Sequence, residues 1–265
     1  MTRAPGRRIQ LGQLAVDRIT FAGAVDAITT LVERGRGGMV FTPNVDHVVM
    51  AEDDLRFRRA YAAADLSLAD GMPVVWASHL LGQPVPEKIS GSDLAPSLMN
   101  RAEIKGFRVY LLGGAPGVAE LAANNLRRRH PRLTIVGTAS PRIDLREPEE
   151  SRQGVLDEIR KAAPDLVLVA LGAPKQEIWM HEAADALRPA VLLGVGASID
   201  FLAGTARRSP AWMSAAGLEW LYRLAREPRR LARRYLLRDP KFLGILLGEL
   251  RARRALSCRD LETWR

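Results

Sequence analysis

The feature that most restricts how this chain can fold is the stretch from Pro164 to Trp179, reading PDLVLVALGAPKQEIW. Leu166 to Leu171 is an unbroken apolar run rich in Val and Leu, the composition of a strand buried on both faces of a parallel sheet. Gly172 to Pro174 punctuates its carboxyl end, and Pro174 suits the first turn of a helix. The polar triplet Lys175, Gln176 and Glu177 therefore falls where strand becomes helix. Open α/β sheets place ligands there, where helix amides can meet an anion. Helix capping and solvation would use the same three residues, so spacing alone leaves both readings open. The next strand tilts the balance. Ala190 to Val195 repeats the pattern, with a buried run, the turn glycines Gly194 and Gly196, and then a carboxylate at Asp200. Two adjacent rims of this kind make a pocket.

Taken in order, the chain opens with ten basic, patternless residues, a loose start. Leu11 to Ile19 reads as a strand or hairpin, Phe21 to Arg34 as an amphipathic helix, and Met39 to Phe41 as a short strand. That strand runs into Thr42, Pro43, Asn44 and Asp46, a polar cluster opening a helix expected to continue through Ala64, which Thr42 or Asn44 can cap. A further short strand, Leu66 to Ala69, delivers Asp70-Gly71 before the apolar helix Pro73 to Leu81. A carboxylate at a strand's carboxyl end is the arrangement expected of a functional acid, although an Asp-Gly turn looks the same. The loop Gly82 to Asp93 closes a first lobe. A second begins with strand Phe107 to Leu112 and the turn Gly113-Gly114-Ala115-Pro116-Gly117, which can seat a phosphate. Its glycine spacing is not that of a dinucleotide fingerprint, and no acid ends the following strand. Only Ser140 and Arg142 imitate a ribose-phosphate site, which keeps an NADP-dependent oxidoreductase as a distant alternative.

These elements predict an α/β protein with a two-lobed, Rossmann-like, doubly wound parallel sheet. Residues 11–204 form its core, lobe one over about 11–105 and lobe two over about 106–204. Residues 205–265 form a helical, basic C-terminal appendage. Charge marks that last boundary, because the net charge of +9 lies wholly in 205–265, where 15 Lys and Arg face 6 Asp and Glu. Such a segment attracts nucleic acid, anionic lipid or a phosphorylated ligand, and charge alone does not choose. Interleaved Trp212, Trp220, Tyr222, Leu236 and Leu237 suit a membrane interface, though they can also be buried between subunits of a homo-oligomer. The longest uncharged apolar runs fall far short of the roughly 20 residues that span a bilayer. A single cysteine, Cys258, and the lack of a signal-like opening predict a reducing cytoplasm. The sequence has no Walker loop, no Gly-x-Ser-x-Gly elbow and no Asp-x-Asp, and His181 with Asp185 makes only two candidate ligands, so neither metal nor cofactor is expected.

Several motifs, weak singly, stand in a telling order: Thr42-Pro43-Asn44, Ala69-Asp70-Gly71, Pro84 to Asp93, Leu171 to Glu177, Gly194-Val195-Gly196 with Asp200, Gly217 to Arg223 with Glu227-Pro228, and Arg233-Arg234-Tyr235. Together they resemble the WecG/TagA/CpsF glycosyltransferases over about residues 10–238. The resemblance implies transfer of a sugar, typically N-acetylmannosamine, from a UDP donor to a sugar on a polyprenyl diphosphate at the cytoplasmic membrane face. Teichoic acid linkers, common antigen and exopolysaccharide are made this way. It implies Asp70 as the general base, Thr42 and Gln176 as polar active-site residues, and Asp200 with the turns at Gly113 and Gly194 as nucleotide holders. It assigns Arg223, Arg230 and Arg233 to the diphosphates, where they replace a metal as charge stabiliser. One departure stands out. Lys88 occupies a position where the family commonly has arginine, keeping the charge but losing the bidentate fork. The last 25 or so residues match no motif and are expected to be a separate membrane-contacting extension. The rival class is a non-catalytic protein that binds membrane or nucleic acid through its basic tail, and the acids at separate strand ends count against it.

Overall fold

The protein is described by a computed structural model over residues 8–262, with the side chains of 149, 150, 211, 215, 230 and 254–262 outside that description. The apolar runs form strands β3 (Gly38–Phe41), β4 (Leu66–Ser67), β5 (Arg108–Gly113), β6 (Thr134–Ala139), β7 (Leu166–Ala170) and β8 (Val191–Gly194). They make one parallel sheet in the order β4-β3-β8-β7-β5-β6. Strands from before and after residue 105 are thus joined, because β8 inserts between β3 and β7 with Gly38 opposite Val191 and Val40 opposite Leu193. β1 (Arg8–Leu11) and β2 (Leu14–Asp17) form an antiparallel hairpin that begins earlier than the expected Leu11, so residues 8–10 belong to a strand and not to a loose start, with Ile9 buried opposite Val16.

Alternation within each strand explains the unbroken apolar sequences. Tyr110, Leu112, Val167, Val169 and Leu192 enter one core, whereas Val109, Leu111, Leu166, Leu168, Val191 and Leu193 enter the other. A side-chain period of two supplies both faces only if every position is apolar. On the first face pack α2 (Val45–Asp53), α3 (Leu55–Ala63), α4 (Met72–Leu80), α7 (Gln153–Ala162) and α8 (Lys175–Ala183). The second face carries α1 (Phe21–Glu33), α5 (Gly91–Lys105), α6 (Val118–Arg129) and α9 (Ser198–Ala203). The helix expected to run to Ala64 is two helices. Asp54 takes an extended conformation and its carboxylate accepts from Phe57 N at 3.0 Å, so a side-chain cap replaces helix continuity.

Beyond the core run α10 (Ala211–Ala215), α11 (Glu219–Arg226), α12 (Pro228–Arg233), a π-helical turn (Arg234–Arg238) and α13 (Lys241–Glu262). Pro228 opens α12, where its missing amide costs nothing. Contrary to expectation, α13 does not stand apart from the core. Phe242 and Leu246, four residues apart, are buried in the same core as Val48 and Val49 of α2, and Arg253 Nη1 donates to Leu81 O at 2.6 Å. No helix of the described residues is long and apolar enough to cross a membrane.

Candidate active site

The short strands β3 and β4 end side by side, and Asp70 N donates to Pro43 O at 2.9 Å, so the polar residues after the two strands meet. Asn44 caps α2 by accepting from His47 N, and Gly71 follows Asp70 at φ 105°, a conformation that favours glycine. α10, α11, the π-helical turn and the start of α13 cover this corner and leave a cavity of about 420 Å³. Its polar wall holds Asn44, Asp70, Lys88, Ser214, Glu219, Arg223, Arg234 and Asp239, and its apolar wall includes Val45, Met72, Pro73, Phe242 and Leu243. Such a cavity suits a ligand with a charged part and a greasy part.

Within it, burial raises the Asp70 carboxyl to about 6; Arg223 and Lys88 pull it down, and Glu219 and Asp93 push it up. Lys88 Nζ donates to Ser214 Oγ at 2.7 Å and lies 3.6 Å from Glu219 Oε2. Arg223 Nη2 donates to Glu219 Oε1 at 2.6 Å. Arg234 donates to Asn44 Oδ1 at 3.1 Å and pairs with Asp46 at 3.2 Å, while Arg238 reaches the same buried carboxylate at 3.0 Å. Asp46 thereby clasps the appendage to the start of α2. Burial also raises Asp239 to about 6, against the pull of Arg234.

A second group of the predicted residues forms a brace outside the cavity wall, at the ends of β3, β7 and β8. Thr42 Oγ1 donates to Gly194 O at 3.3 Å. The buried Gln176 amide is engaged at both ends, its Nε2 donating to Glu177 Oε1 at 2.8 Å and its Oε1 accepting from Gly196 N at 3.1 Å. A Cβ on Gly194 would lie 2.5 Å from Gln176 Nε2, so glycine there is a packing requirement. Gly113 has the same explanation, since at φ 113° its missing Cβ would collide with the Ala170 backbone. Gly114 packs on Val118, Lys175 is exposed and reaches toward Ile143 O, and Asp200 lies in α9, outside the cavity wall. Ser140 Oγ donates to Gly113 O, and Arg142 is exposed.

The structure thus brings Asn44, Asp70, Lys88 and Arg223 to one cavity, and leaves Thr42, Gln176, Glu177, Gly194 and Gly196 in the brace. Arg233 is exposed and outside the wall, and the side chain of Arg230 lies outside the described residues. Sequence reasoning missed Ser214, Glu219, Arg234 and Asp239 as wall residues. The resemblance named Arg230 and Arg233 in this part of the tail; Pro228 starts a new helix there, a π-helical turn follows it, and the arginines that pair with the buried Asp46 are Arg234 and Arg238. Glu219 was detectable, standing one helical turn before Arg223.

The sequence matches the glycosyl transferase WecG/TagA/CpsF family over residues 9–256. It is 34% identical over 225 residues to a Bacillus spizizenii protein named N-acetylglucosaminyldiphosphoundecaprenol N-acetyl-beta-D-mannosaminyltransferase, and the alignment covers 84% of each chain. The family match runs past residue 238 into α13, so most of that helix is a family feature and not a separate extension. Core, clasped appendage and cavity together fall within the matched region, and the chain belongs to the WecG/TagA/CpsF family of glycosyltransferases.

Proposed function

We propose that the protein is an inverting glycosyltransferase that moves N-acetylmannosamine or a related hexose from a UDP-sugar to a sugar carried on a polyprenyl diphosphate, in cell-wall polymer, common antigen or exopolysaccharide synthesis. The observation that carries this reading is Asp70, a carboxylate in the cavity wall whose proton affinity burial has raised to about 6, close to Lys88 and Arg223. A base with that affinity still ionises near neutral pH and holds a proton better than an exposed aspartate. Asp70 takes the acceptor hydroxyl's proton, the hydroxyl oxygen bonds to the sugar's anomeric carbon, and the bond from that carbon to the diphosphate oxygen breaks with inversion. UDP leaves with the electron pair, and Lys88 and Arg223 offset the negative charge that gathers there. The apolar wall at Met72, Pro73 and Leu243 suits the start of the acceptor's isoprenoid chain. Exposed Trp212, Leu236, Leu237, Leu243 and Leu247 among the tail's arginines suit the anionic inner face of the cell membrane.

Asp70→Asn tests the reading. It should retain UDP binding and the fold while turnover falls about 10²–10⁴-fold, the usual contribution of a general base. Turnover above about a third of wild type would remove Asp70 from the role.

A further inference from the structure

The two cations best placed for a diphosphate are already bridged by a carboxylate from the appendage. Glu219 Oε1 accepts from Arg223 Nη2 at 2.6 Å, and its Oε2 lies 3.6 Å from Lys88 Nζ and 3.5 Å from Ser214 Oγ. This is more than a helix-surface pair. Lys88 comes from the loop before α5, and its side chain is only 14% exposed. One carboxylate engages with separate oxygens an arginine fork and a lysine, which is how a phosphate group engages such a pair.

We propose that Glu219 is an internal stand-in for the ligand's phosphate, holding Lys88 and Arg223 in place and releasing them when a diphosphate enters. The inference rests on the reading of this cavity as a diphosphate-binding transferase site. Charge balance supports it. Among the described residues, the wall carboxylates Asp70, Glu219 and Asp239 match the cations Lys88, Arg223 and Arg234 in number, so a diphosphate competes with carboxylates for these cations. Glu219 is the carboxylate free to move. It opens α11 on the appendage and its own side chain is 28% exposed, and an incoming diphosphate offers Lys88 and Arg223 anionic oxygens in exchange for those it withdraws. A gating carboxylate also rejects ligands that bring less charge than it contributes. Sugars without a diphosphate leave the bridge intact.

Glu219 acts on Asp70 as well. The charged or titratable groups acting on Asp70 are Arg223, Glu219, Lys88 and Asp93, with Tyr61 across the core. Of the two acids in that set, Glu219 pushes the Asp70 carboxyl up more than Asp93 does, so neutralising it lets Arg223 and Lys88 hold Asp70 ionised to lower pH.

Calorimetric titration of inorganic pyrophosphate into wild type, Glu219→Gln, Glu219→Ala and Lys88→Gln tests the proposal. The glutamine substitution keeps the side-chain length and an oxygen for Arg223 but removes the competing charge. The expected result is pyrophosphate binding about tenfold tighter in Glu219→Gln, tighter again than wild type in Glu219→Ala, and lost in Lys88→Gln. The acid limb of the turnover–pH profile should also move down in Glu219→Gln, because the charge that pushes the Asp70 carboxyl up is removed. If wild type binds pyrophosphate through Lys88 but neither Glu219 variant binds it more tightly, the stand-in role is wrong and the diphosphate site survives. Should neither wild type nor the Glu219 variants bind it, the diphosphate reading of the cavity fails and the stand-in role with it.

Discussion

Glu177→Gln should flatten the pH dependence of this protein's stability. Glu177 has no exposed surface, its Oε1 accepts from Gln176, and among the described residues its Oε2 has no hydrogen-bond partner. Burial raises the carboxyl from 4.5 to about 7, opposed by its own backbone amide and by Gln176 and reinforced by Asp46. The unfolded chain releases this proton near pH 4.5 and the folded chain near 7, so within that window the native state binds more protons. Stability must therefore fall as pH rises from about 4.5 to 7, and the loss is complete above it. At 1.36 kcal/mol per pH unit the interval amounts to about 3 kcal/mol. The amide does not titrate, yet it keeps an oxygen for Gln176 Nε2. Asp70 and Asp239, both raised to about 6, slope in the same direction, but they are common to both proteins and cancel in the comparison. Urea unfolding followed by tryptophan fluorescence, with Trp179 buried in the core, measures each protein at pH 5 and pH 8. Wild type should lose about 2.5 kcal/mol more than the variant between these values, since pH 5 already lies inside the window. Parallel losses would refute the reasoning and mean that Glu177 is solvated or partnered.

Two further predictions concern the appendage. Asp46→Ala leaves Arg234 and Arg238 without their shared carboxylate; with Arg238 half exposed the cost should be about 2 kcal/mol, seen as a lower urea midpoint and faster proteolysis beyond residue 205. A midpoint unchanged from wild type would show that the clasp contributes nothing. Leu236→Glu with Leu237→Glu, on side chains 62% and 69% exposed, should leave stability within about 0.5 kcal/mol but reduce flotation with anionic liposomes. Equal flotation of variant and wild type would remove this surface as the membrane contact. Deleting the tail is a poorer experiment, since it would also strip Leu231, Phe242 and Leu246 from buried positions.

The sequence by itself determined the layers of this protein and the points where chemistry emerges from them. Val- and Leu-rich runs such as Leu166 to Ala170 require burial on two faces, and a buried parallel strand must end in a turn at the sheet's rim. Asp70, Asn44 and Gln176 could therefore be assigned to that rim from their places in the chain, and ordered motifs pointed to the family. Which rim residues share a cavity was settled only in three dimensions. Strand order places β8 between β3 and β7, so Gln176 and Gly194 pack on each other outside the cavity wall while Asn44 and Asp70 line it. Which tail arginines meet the core was likewise not legible along the chain. Pro228 starts a new helix, a π-helical turn follows it, and the buried Asp46 selects Arg234 and Arg238. Partner choice between residues so far apart in the chain depends on which carboxylate the fold leaves buried and short of a cation, and that is a property of the packed molecule.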